Sequence, residues 1–192
     1  AEYFLILAGD HIYRMDFCEL IEAHIESKAD ITIAAQPVSA EDATGMGIFH
    51  FDKGGRITAF EEKPNAARLA EIGNSVPKGA TFSPTNADTP FMASMGIYVF
   101  SRDVLLDLID STPGIDFGKE LIPAALGTHE VHAYFYRGYW ADVGTVRAFY
   151  DANRALTHRP APFSFFDPRR PIYTRPRFLP GTRMNGCQID AS

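Results

Sequence analysis

The chain has 192 residues, 46% of them hydrophobic, and 18 Lys and Arg against 24 Asp and Glu give a formal net charge of −6 at neutral pH. This globular composition excludes wholesale disorder, and an acidic chain without a basic stripe is not expected to bind nucleic acid. No apolar run reaches the ~18 residues that a membrane span needs, so we expect no membrane partner either.

The first elements predict a βαβ unit. A continuous apolar run over residues 3–8 predicts a strand that is buried on both faces. Asp16, with Glu19 three positions later, predicts the start of a helix. The apolar face of that helix carries Phe17, Leu20, Ile21 and Ile25. Residues 31–35, closed by Pro37, predict a second strand, and the unit as a whole favours a parallel sheet.

A β-hairpin is predicted next, followed by an irregular stretch. Residues 47–51 and 56–60 alternate as strands around the turn 52–55, which is rich in glycine. Residues 64–90 have weak periodicity and many Pro, Gly, Asn and Thr, so we expect a short helix and a long surface loop there.

The rest of the first 158 residues continues the alternation of strands and helices. We expect strands at 96–100 and 130–136, a helix at 102–109, a helix at 117–126 interrupted near Pro123, and a last helix capped by Thr145 with Val146, Phe149, Tyr150 and Leu156 on one face. The chain therefore has the pattern of an α/β domain.

Proline marks a change after residue 158. Six of the 13 prolines lie between residues 160 and 180, which favours an extended linker over a helix. We therefore expect one α/β domain over 1–158, a proline-rich linker over 159–183, and the start of another domain over 184–192. The first residue is Ala, and a strand follows almost at once, so we expect the chain to be part of a longer protein.

Two carboxylates follow strand ends and are the first candidates for chemistry. Asp10 comes directly after the first strand, and Asp142 lies beside Trp140, the chain's only Trp, just before the last helix. Ligands of open α/β sheets bind beyond the carboxyl ends of strands, and Mg²⁺ takes hard oxygen ligands there. From its position alone, Asp10 could equally be a turn residue. Asp142 could equally be an acid that stabilises the amino terminus of a helix.

A charged cluster offers a second candidate. Pro64 is expected to keep Lys63 extended, so that its ammonium could meet a substrate phosphate, while Glu62 could accept from hydroxyl groups such as those of a sugar. A solvated loop explains the same residues. The glycines of the triplets 45–47 and 94–96 would allow a ligand close to the backbone, although ordinary turns also contain such triplets.

Several motifs are absent from the sequence. There is no H-E-x-x-H and no Cys pair for zinc, no G-x-S-x-G, no Walker A and no G-x-G-x-x-G. Residues 116–118 spell D-F-G, but no kinase catalytic loop accompanies them. Two cysteines are typical of free thiols in a reducing compartment.

Six segments in one order nevertheless carry a resemblance. They are LILAGDHIYRMDF at 5–17, FEEKP at 60–64, ASMGIYVF at 93–100, DFGKELIP at 116–123, YWADVGT at 139–145 and RPRFLPGTRMNGCQI at 175–189. With these motifs the chain resembles, over almost its whole length, the glucose-1-phosphate adenylyltransferases of the sugar-nucleotidyltransferase family.

The resemblance implies a reaction and a set of site residues. ATP and α-D-glucose 1-phosphate would give ADP-glucose and pyrophosphate with Mg²⁺ as cofactor. Asp10 and Asp142 would be the catalytic, metal-binding carboxylates. The residues implied for glucose 1-phosphate are Gly47, Glu62, Lys63, Ser94, Tyr98, Asp116 and Trp140, with Lys63 on the phosphate. A related uridylyl-, thymidylyl- or guanylyltransferase, or a non-catalytic regulatory subunit, stays open as an alternative.

The resemblance also implies a fold and a context. It implies a Rossmann-like nucleotide-diphospho-sugar transferase domain with a mixed, mostly parallel sheet flanked by helices, followed by the start of a left-handed parallel β-helix at 184–192. The family's glycine-rich nucleotide loop would precede Ala1, so the 192-residue chain alone is expected to be weakly active. The resemblance further implies a homotetramer under allosteric control. It would act in glycogen or starch synthesis, in the cytoplasm or a plastid.

Overall fold

The computed structural model describes residues 1–82, 84–114, 116–165, 167–173 and 186. Their strands are β1 (Tyr3–Leu7), β2 (His11–Tyr13), β3 (Ile31–Val38), β4 (Gly47–Phe51), β5 (Ile57–Glu62), β6 (Phe91–Ser101), β7 (Val131–Phe135) and β8 (Trp140–Asp142). Their helices are α1 (Phe17–Ser27), α2 (Ala40–Ala43), α3 (Ala66–Ile72), α4 (Arg102–Ser111), α5 (Ile122–Ala125) and α6 (Val146–Thr157). A π-helical turn, Phe117–Leu121, runs directly into α5.

A six-stranded sheet forms the centre of the domain. Its order is β5–β4–β6–β3–β7, with β1 also paired to β6. Strand β6 is 11 residues long because its amino-terminal half pairs with β4 and its carboxyl-terminal half with β1, while β3 lies along its other side. Most apolar side chains of β3, β4 and β6 are buried, so this sheet carries the core of the molecule.

The mixed α/β class is confirmed, but the balance of strand directions differs from the expectation of a mostly parallel sheet. In the described residues only the β3–β7 pair is parallel. Strands β1 and β3 run in the same direction, as the βαβ pattern predicts, yet β6 lies between them and is antiparallel to both. A local pattern fixes the direction of a crossover, but it cannot show which later strand is inserted between its ends.

Strand β1 is not buried on both faces, contrary to the prediction. Phe4 and Leu7 are 39% and 42% exposed, and the other three residues of the strand are only partly buried. The described residues pair β1 only with β6, so it lies at an edge, where a continuous apolar run does not require two covered faces.

Strand β3 also runs further than predicted, because Pro37 lies inside it. The last pair between β3 and β7 joins Ala35 to Phe135, whereas the pairing with β6 continues to Val38. Pro37 therefore lies where β3 has a neighbour on one side only, and the missing N–H of a proline is tolerated at such a position.

Helix α1 begins as predicted but buries a different side chain. The Asp16 carboxylate caps it by accepting from the Cys18 N–H. Ile25, expected on the buried face, is 48% exposed, whereas His24 is fully buried. The Nδ1 atom of His24 lies 2.8 Å from Thr32 Oγ1. Burial lowers the pKa of His24, so the ring is held neutral.

Helix α6 begins after Thr145 as predicted, with its hydroxyl accepting from the Ala148 N–H, but it turns its large apolar residues outward. Val146, Phe149 and Tyr150 are exposed, and the small side chain of Ala152 is buried instead. Periodicity locates an apolar stripe along a helix, but it does not show that the stripe faces the domain.

The hairpin and the irregular stretch after it are confirmed, with one difference. Asp52 Oδ1 accepts from the Gly54 N–H in the turn between β4 and β5. Beyond α3, the stretch is not wholly at the surface, because Ser75 is buried and the Phe82 ring stacks on Phe135 at 5.7 Å between centroids.

The described part of the proline-rich segment lies against the domain. Arg14 Nη2 donates to the Arg170 carbonyl oxygen at 2.6 Å, and the Phe163 and Tyr139 rings are 5.8 Å apart. The predicted β-helix start at 184–192 falls outside the described residues except for Gly186. Among the described residues, no helix combines the length and the apolar character that crossing a membrane requires.

Candidate active site

The β4–β5 hairpin forms one wall of a cavity. Gly47 pairs with Glu62 across the hairpin, and the next residue, Lys63, donates its N–H to the Met46 carbonyl oxygen at 3.0 Å. A Cβ atom at Gly47 would lie 2.2 Å from Phe60 Cζ and 2.9 Å from Glu62 Oε2. Glycine is therefore required here so that Phe60 and Glu62 can lie over the backbone, rather than to leave the backbone open.

A bulge in β6 forms the second wall. The register with β3 shifts between the Ile33–Tyr98 pair and the Ala35–Ser94 pair, and Gly96 in between has a φ of +64°. The Gly96 N–H donates to Ser94 Oγ at 3.3 Å, and the Ser94 side chain lies near the Tyr98 hydroxyl. Burial raises the pKa of Tyr98, which keeps this phenol neutral as a donor or acceptor.

Seven of the predicted site residues line one cavity of about 160 Å³. They are Gly47, Glu62, Lys63, Ser94, Tyr98, Trp140 and Asp142, together with His11, Gly45, Met46, Phe60 and Gly96. Residues from five separate stretches of the sequence thus meet at one place, and the cavity joins an ammonium group, hydroxyl groups and carboxylates.

Asp116 lies behind this cavity, next to Glu62. Its carboxylate caps the π-helical turn by accepting from the Lys119 N–H at 2.8 Å. A Cβ atom at Gly118 would lie 2.9 Å from Glu62 Oε2 and 3.6 Å from Asp116 Oδ1, so the turn holds both acids close together. Burial raises the pKa of Glu62; the negative charge of Asp116 adds to the rise, and Lys63 and Lys119 oppose it.

Lys63 has an unexpected backbone conformation. The residue before a proline is expected to be extended, but Lys63 has a φ of +49°, in the left-handed region. A residue with a side chain is destabilised by about 1–3 kcal/mol in such a conformation, so the surrounding structure must hold it there. Its side chain is exposed, and no salt bridge in the described part of the chain occupies the ammonium.

Asp10 comes together with Asp142, which lines the cavity, although Asp10 is not itself part of the lining. Strands β2 and β8 pair antiparallel with His11 opposite Asp142, and the Val143 N–H donates to the Asp10 carbonyl oxygen at 3.0 Å. Asp10 Oδ1 and Asp142 Oδ2 each lie 3.6 Å from His11 Nε2. Two carboxylates from distant parts of the sequence therefore face the same imidazole nitrogen.

The chemistry of these donors fits a magnesium ion. The side chains of Asp10 and Asp142 are 64% and 40% exposed, so both carboxylates can be reached from solvent. Mg²⁺ is commonly held by one or two carboxylates, with waters and substrate phosphates completing its shell. The described residues contain no cluster of three or more His, Cys, Asp or Glu side chains suited to a metal, so water or substrate would have to supply the remaining ligands.

Sequence reasoning missed His11 as a member of this site. Its ring lies between the two carboxylates, and its Nδ1 faces Met95 and Trp140. The signal was its place directly after Asp10, inside the GDHIYRMD segment. The pairing of β2 with β8 has no local signal, because each strand has only three residues.

Comparison with known families adds an independent finding. A model described as nucleotidyl transferase matches residues 1–159 of the chain. The matched stretch contains the whole of both sheets and every residue that lines the cavity.

Proposed function

The chain belongs to the nucleotidyl transferase family, and from that premise we propose that it forms the part of a glucose-1-phosphate adenylyltransferase that binds the sugar phosphate. In this reaction ATP and α-D-glucose 1-phosphate give ADP-glucose and pyrophosphate. The observation that carries the proposal is one cavity lined by a free ammonium, a set of hydroxyl-binding groups and the Asp142 carboxylate, with Asp10 beside Asp142 at the His11 ring. Such a set matches a phosphate, a sugar and a metal-bound nucleotide, respectively.

The proposed chemistry is a displacement at phosphorus. A phosphate oxygen of glucose 1-phosphate attacks the α-phosphorus of ATP, a new P–O bond forms, and the bond to the departing pyrophosphate breaks. No covalent step on the protein is needed, so catalysis consists of positioning and charge neutralisation. Mg²⁺ held by Asp10 and Asp142 would neutralise charge on the phosphate oxygens and orient them.

Lys63 would bind the phosphate of glucose 1-phosphate. Its ammonium is exposed at the cavity and free of salt bridges in the described residues, and its strained backbone is held by the bond to Met46. A Lys side chain acts on phosphate as a compact point charge. The conformation therefore supports a fixed anchor for the phosphate at the end of β5.

The opposite walls would bind the sugar ring. Glu62 and Asp116 offer carboxylate acceptors, and Ser94 and Tyr98 form a hydroxyl pair. Trp140 adds an aromatic side chain that covers an apolar face of the ring. Gly47 contributes by leaving room for the Glu62 side chain, which would otherwise be displaced from the cavity.

Binding of the sugar phosphate can be tested on this chain directly. Isothermal titration should show glucose 1-phosphate binding, with weaker binding of glucose 6-phosphate and of free glucose. Equal binding of all three compounds would contradict a site built for a sugar with phosphate at C1. Lys63→Ala should weaken this binding. Lys53, in the turn at the far end of the same hairpin, provides the control Lys53→Ala, which also removes one positive charge.

Nucleotide choice needs a separate assay. Pyrophosphate release with glucose 1-phosphate should be measured for ATP, UTP, dTTP and GTP, using both this chain and a version extended by the residues encoded before Ala1. The adenylyl assignment requires a preference for ATP in the extended version. A preference for another nucleotide would favour the related uridylyl-, thymidylyl- or guanylyltransferases.

A regulatory subunit without catalysis is the second candidate. Such a subunit would keep the fold and lose metal or phosphate ligands, whereas Lys63 and Asp142 line one cavity and Asp10 lies next to Asp142. Full activity of the extended protein would exclude a regulatory subunit without catalysis.

The proposal further includes a homotetramer under allosteric control in glycogen or starch synthesis, in the cytoplasm or a plastid. Light scattering of the extended protein tests the oligomeric state.

A further inference from the structure

We propose that His11 is a positioning residue that holds Asp10 and Asp142 at the spacing of a single divalent cation. The inference rests on the proposed function in that it takes these two carboxylates as the metal ligands. It adds a residue that contacts neither phosphate nor sugar in the proposed reaction, but sets the geometry of the groups that do.

The His11 ring is fixed on its Nδ1 side. Nδ1 lies 3.0 Å from the Met95 carbonyl oxygen and 3.3 Å from Trp140 Nε1. In one tautomer of the neutral ring Nδ1 donates to the Met95 carbonyl oxygen, and in the other it accepts from the Trp140 indole N–H. The second tautomer places the ring hydrogen on Nε2, where it faces both acids. The two aromatic rings also meet edge to face, with centroids 5.5 Å apart.

The bulge in β6 packs against the His11 ring and supports the same ring orientation. The positive φ of Gly96 brings its backbone so close that a Cβ atom there would lie 3.1 Å from Ala8 Cβ and 3.4 Å from His11 Cε1. Met95, whose carbonyl faces Nδ1, is fully buried. With its side chain only 10% exposed, the imidazole has little freedom to turn.

This arrangement makes Nε2 a fixed polar point for both acids. Asp142 Oδ1 accepts from the Gly144 N–H at 2.7 Å, which leaves Oδ2 to face Nε2 at 3.6 Å. For the Asp10 carboxylate, His11 is the only ion-pair or hydrogen-bond partner in the described part of the chain. Without the imidazole nitrogen, Asp10 would lose the contact that directs it toward Asp142.

A pair of amide variants separates this role from simple packing. In His11→Gln the terminal amide reaches about the place of Nε2, whereas in His11→Asn it reaches only about the place of Nδ1. His11→Phe keeps a ring and removes both nitrogens. Partners that orient metal ligands typically contribute about 10- to 100-fold to metal affinity, so Asn and Phe should weaken metal binding by that factor and Gln by only a few-fold.

The probe is Mn²⁺ alone, titrated into the 192-residue chain and its variants and followed by the electron paramagnetic resonance signal of the free ion. Thermal unfolding without metal is measured on each protein. Asp10→Asn serves as the variant that removes a ligand outright. This readout does not depend on turnover or on a nucleotide.

The results divide cleanly. Retention of Mn²⁺ affinity in the Gln variant, with loss in the Asn and Phe variants, supports the positioning role. Equal affinity of all three for Mn²⁺ would overturn it, and so would equal losses that simply follow lower melting temperatures. If Asp10→Asn binds Mn²⁺ as well as the unchanged chain does, the metal assignment itself fails; normal dependence on Asp10 with no effect of His11 refutes only the present inference.

Discussion

The sugar-phosphate half of the site comprises Gly47, Glu62, Lys63, Ser94 and Tyr98, which lie on strands of the six-stranded sheet or directly after one. The carboxylate half comprises Asp10 and Asp142, which lie at the ends of β2 and β8, strands of only three residues each. Next to Ser94, Ala93 and Met95 are fully buried, while the Asp10 side chain is 64% exposed. The sugar-phosphate half is therefore held in place by the packed core of the fold, whereas the carboxylate half is held by a few local contacts. Substitutions in the first half should change stability and binding together, and those in the second should change chemistry alone.

The largest expected effect lies in the carboxylate half. Asp10→Asn removes a charged metal ligand, so turnover of the extended protein should fall by orders of magnitude, since the metal supplies several kcal/mol of charge stabilisation. Because this side chain is exposed, the melting temperature of the chain should hardly change. Pyrophosphate release and thermal unfolding measure the two effects.

Asp107→Asn on the exposed side of α4 is the matched control for loss of one negative charge. Unchanged turnover of the Asp10 variant would favour a regulatory subunit. A large drop in its melting temperature would erase the contrast between the two halves.

The second effect concerns the phosphate anchor. Hydrogen bonds to charged groups contribute about 1.5–3 kcal/mol, so Lys63→Ala should weaken glucose 1-phosphate binding by about 10- to 100-fold. Lys63→Gly should weaken it equally, yet be more stable than the Ala variant by about 1 kcal/mol, because glycine adopts a positive φ without strain. Titration calorimetry and urea unfolding measure the two quantities.

Lys53→Ala should leave both quantities unchanged. An Ala variant at position 63 that binds glucose 1-phosphate normally would refute the phosphate role. Equal stability of the Gly and Ala variants would show that the left-handed backbone costs nothing here.

The third effect links binding to the core. Gly47→Ala would place a methyl group 2.2 Å from Phe60 Cζ, so the ring and Glu62 must move. Overpacking of this kind costs about 1–3 kcal/mol, and the displaced Glu62 should also weaken sugar-phosphate binding. Chemical denaturation and glucose 1-phosphate titration should therefore change together.

Gly45→Ala is the control in the same loop, since its added methyl would lie 3.6 Å from the nearest atom, the Asp42 carbonyl oxygen. It should change stability by less than about 0.5 kcal/mol. Loss of binding at Gly47→Ala without loss of stability would mean that this wall is independent of the core.

The smallest effect is a dependence of stability on pH that comes from two histidines packed within the fold, His24 on α1 and His50 on β4. Burial lowers the pKa values of His24 and His50 in the fold, with an opposing effect of Asp30 on the first and of Glu61 on the second. The unfolded chain takes up protons first as pH falls through about 6.5, so stability is complete above that value and is lost progressively toward the folded pKa. One such group contributes at most about 1.4 kcal/mol per pH unit.

Thermal unfolding between pH 7.5 and 5.5 checks this dependence. His24→Gln, which can keep a hydrogen bond to Thr32, should flatten the profile, whereas His158→Gln on the exposed end of α6 should not. A His24 variant with the same slope as the unchanged chain would contradict the role of its burial.

Much of the fold could be predicted from local sequence. The β4–β5 hairpin follows from its glycine-rich turn, and α1 and α6 start where Asp16 and Thr145 cap them. What could not be predicted is the insertion of β6 between β1 and β3, because strand neighbours are set by contacts between distant segments. For the same reason the sequence could not show that the apolar stripe of α6 is largely exposed and that Ala152 is buried instead.

The candidate site shows the same division. Glu62, Ser94 and Asp142 were singled out one at a time by their motifs, and the cavity brings all three together. Sequence gave no sign that Lys63 would adopt a positive φ, since Pro64 disfavours it locally and the bond to Met46 comes from the hairpin. His11 escaped notice because its role depends on partners far along the chain.

The outer side of β1 has a practical consequence for handling the protein. Within the described residues nothing pairs with that side, and the strand carries exposed Phe4 and Leu7 without the lysine, proline or bulge that usually blunts a sheet edge. In concentrated solution such an edge is a template for edge-to-edge aggregation between copies. A lysine in place of Phe4 is the gatekeeper substitution of choice, because that side chain already faces solvent and lies away from the cavity.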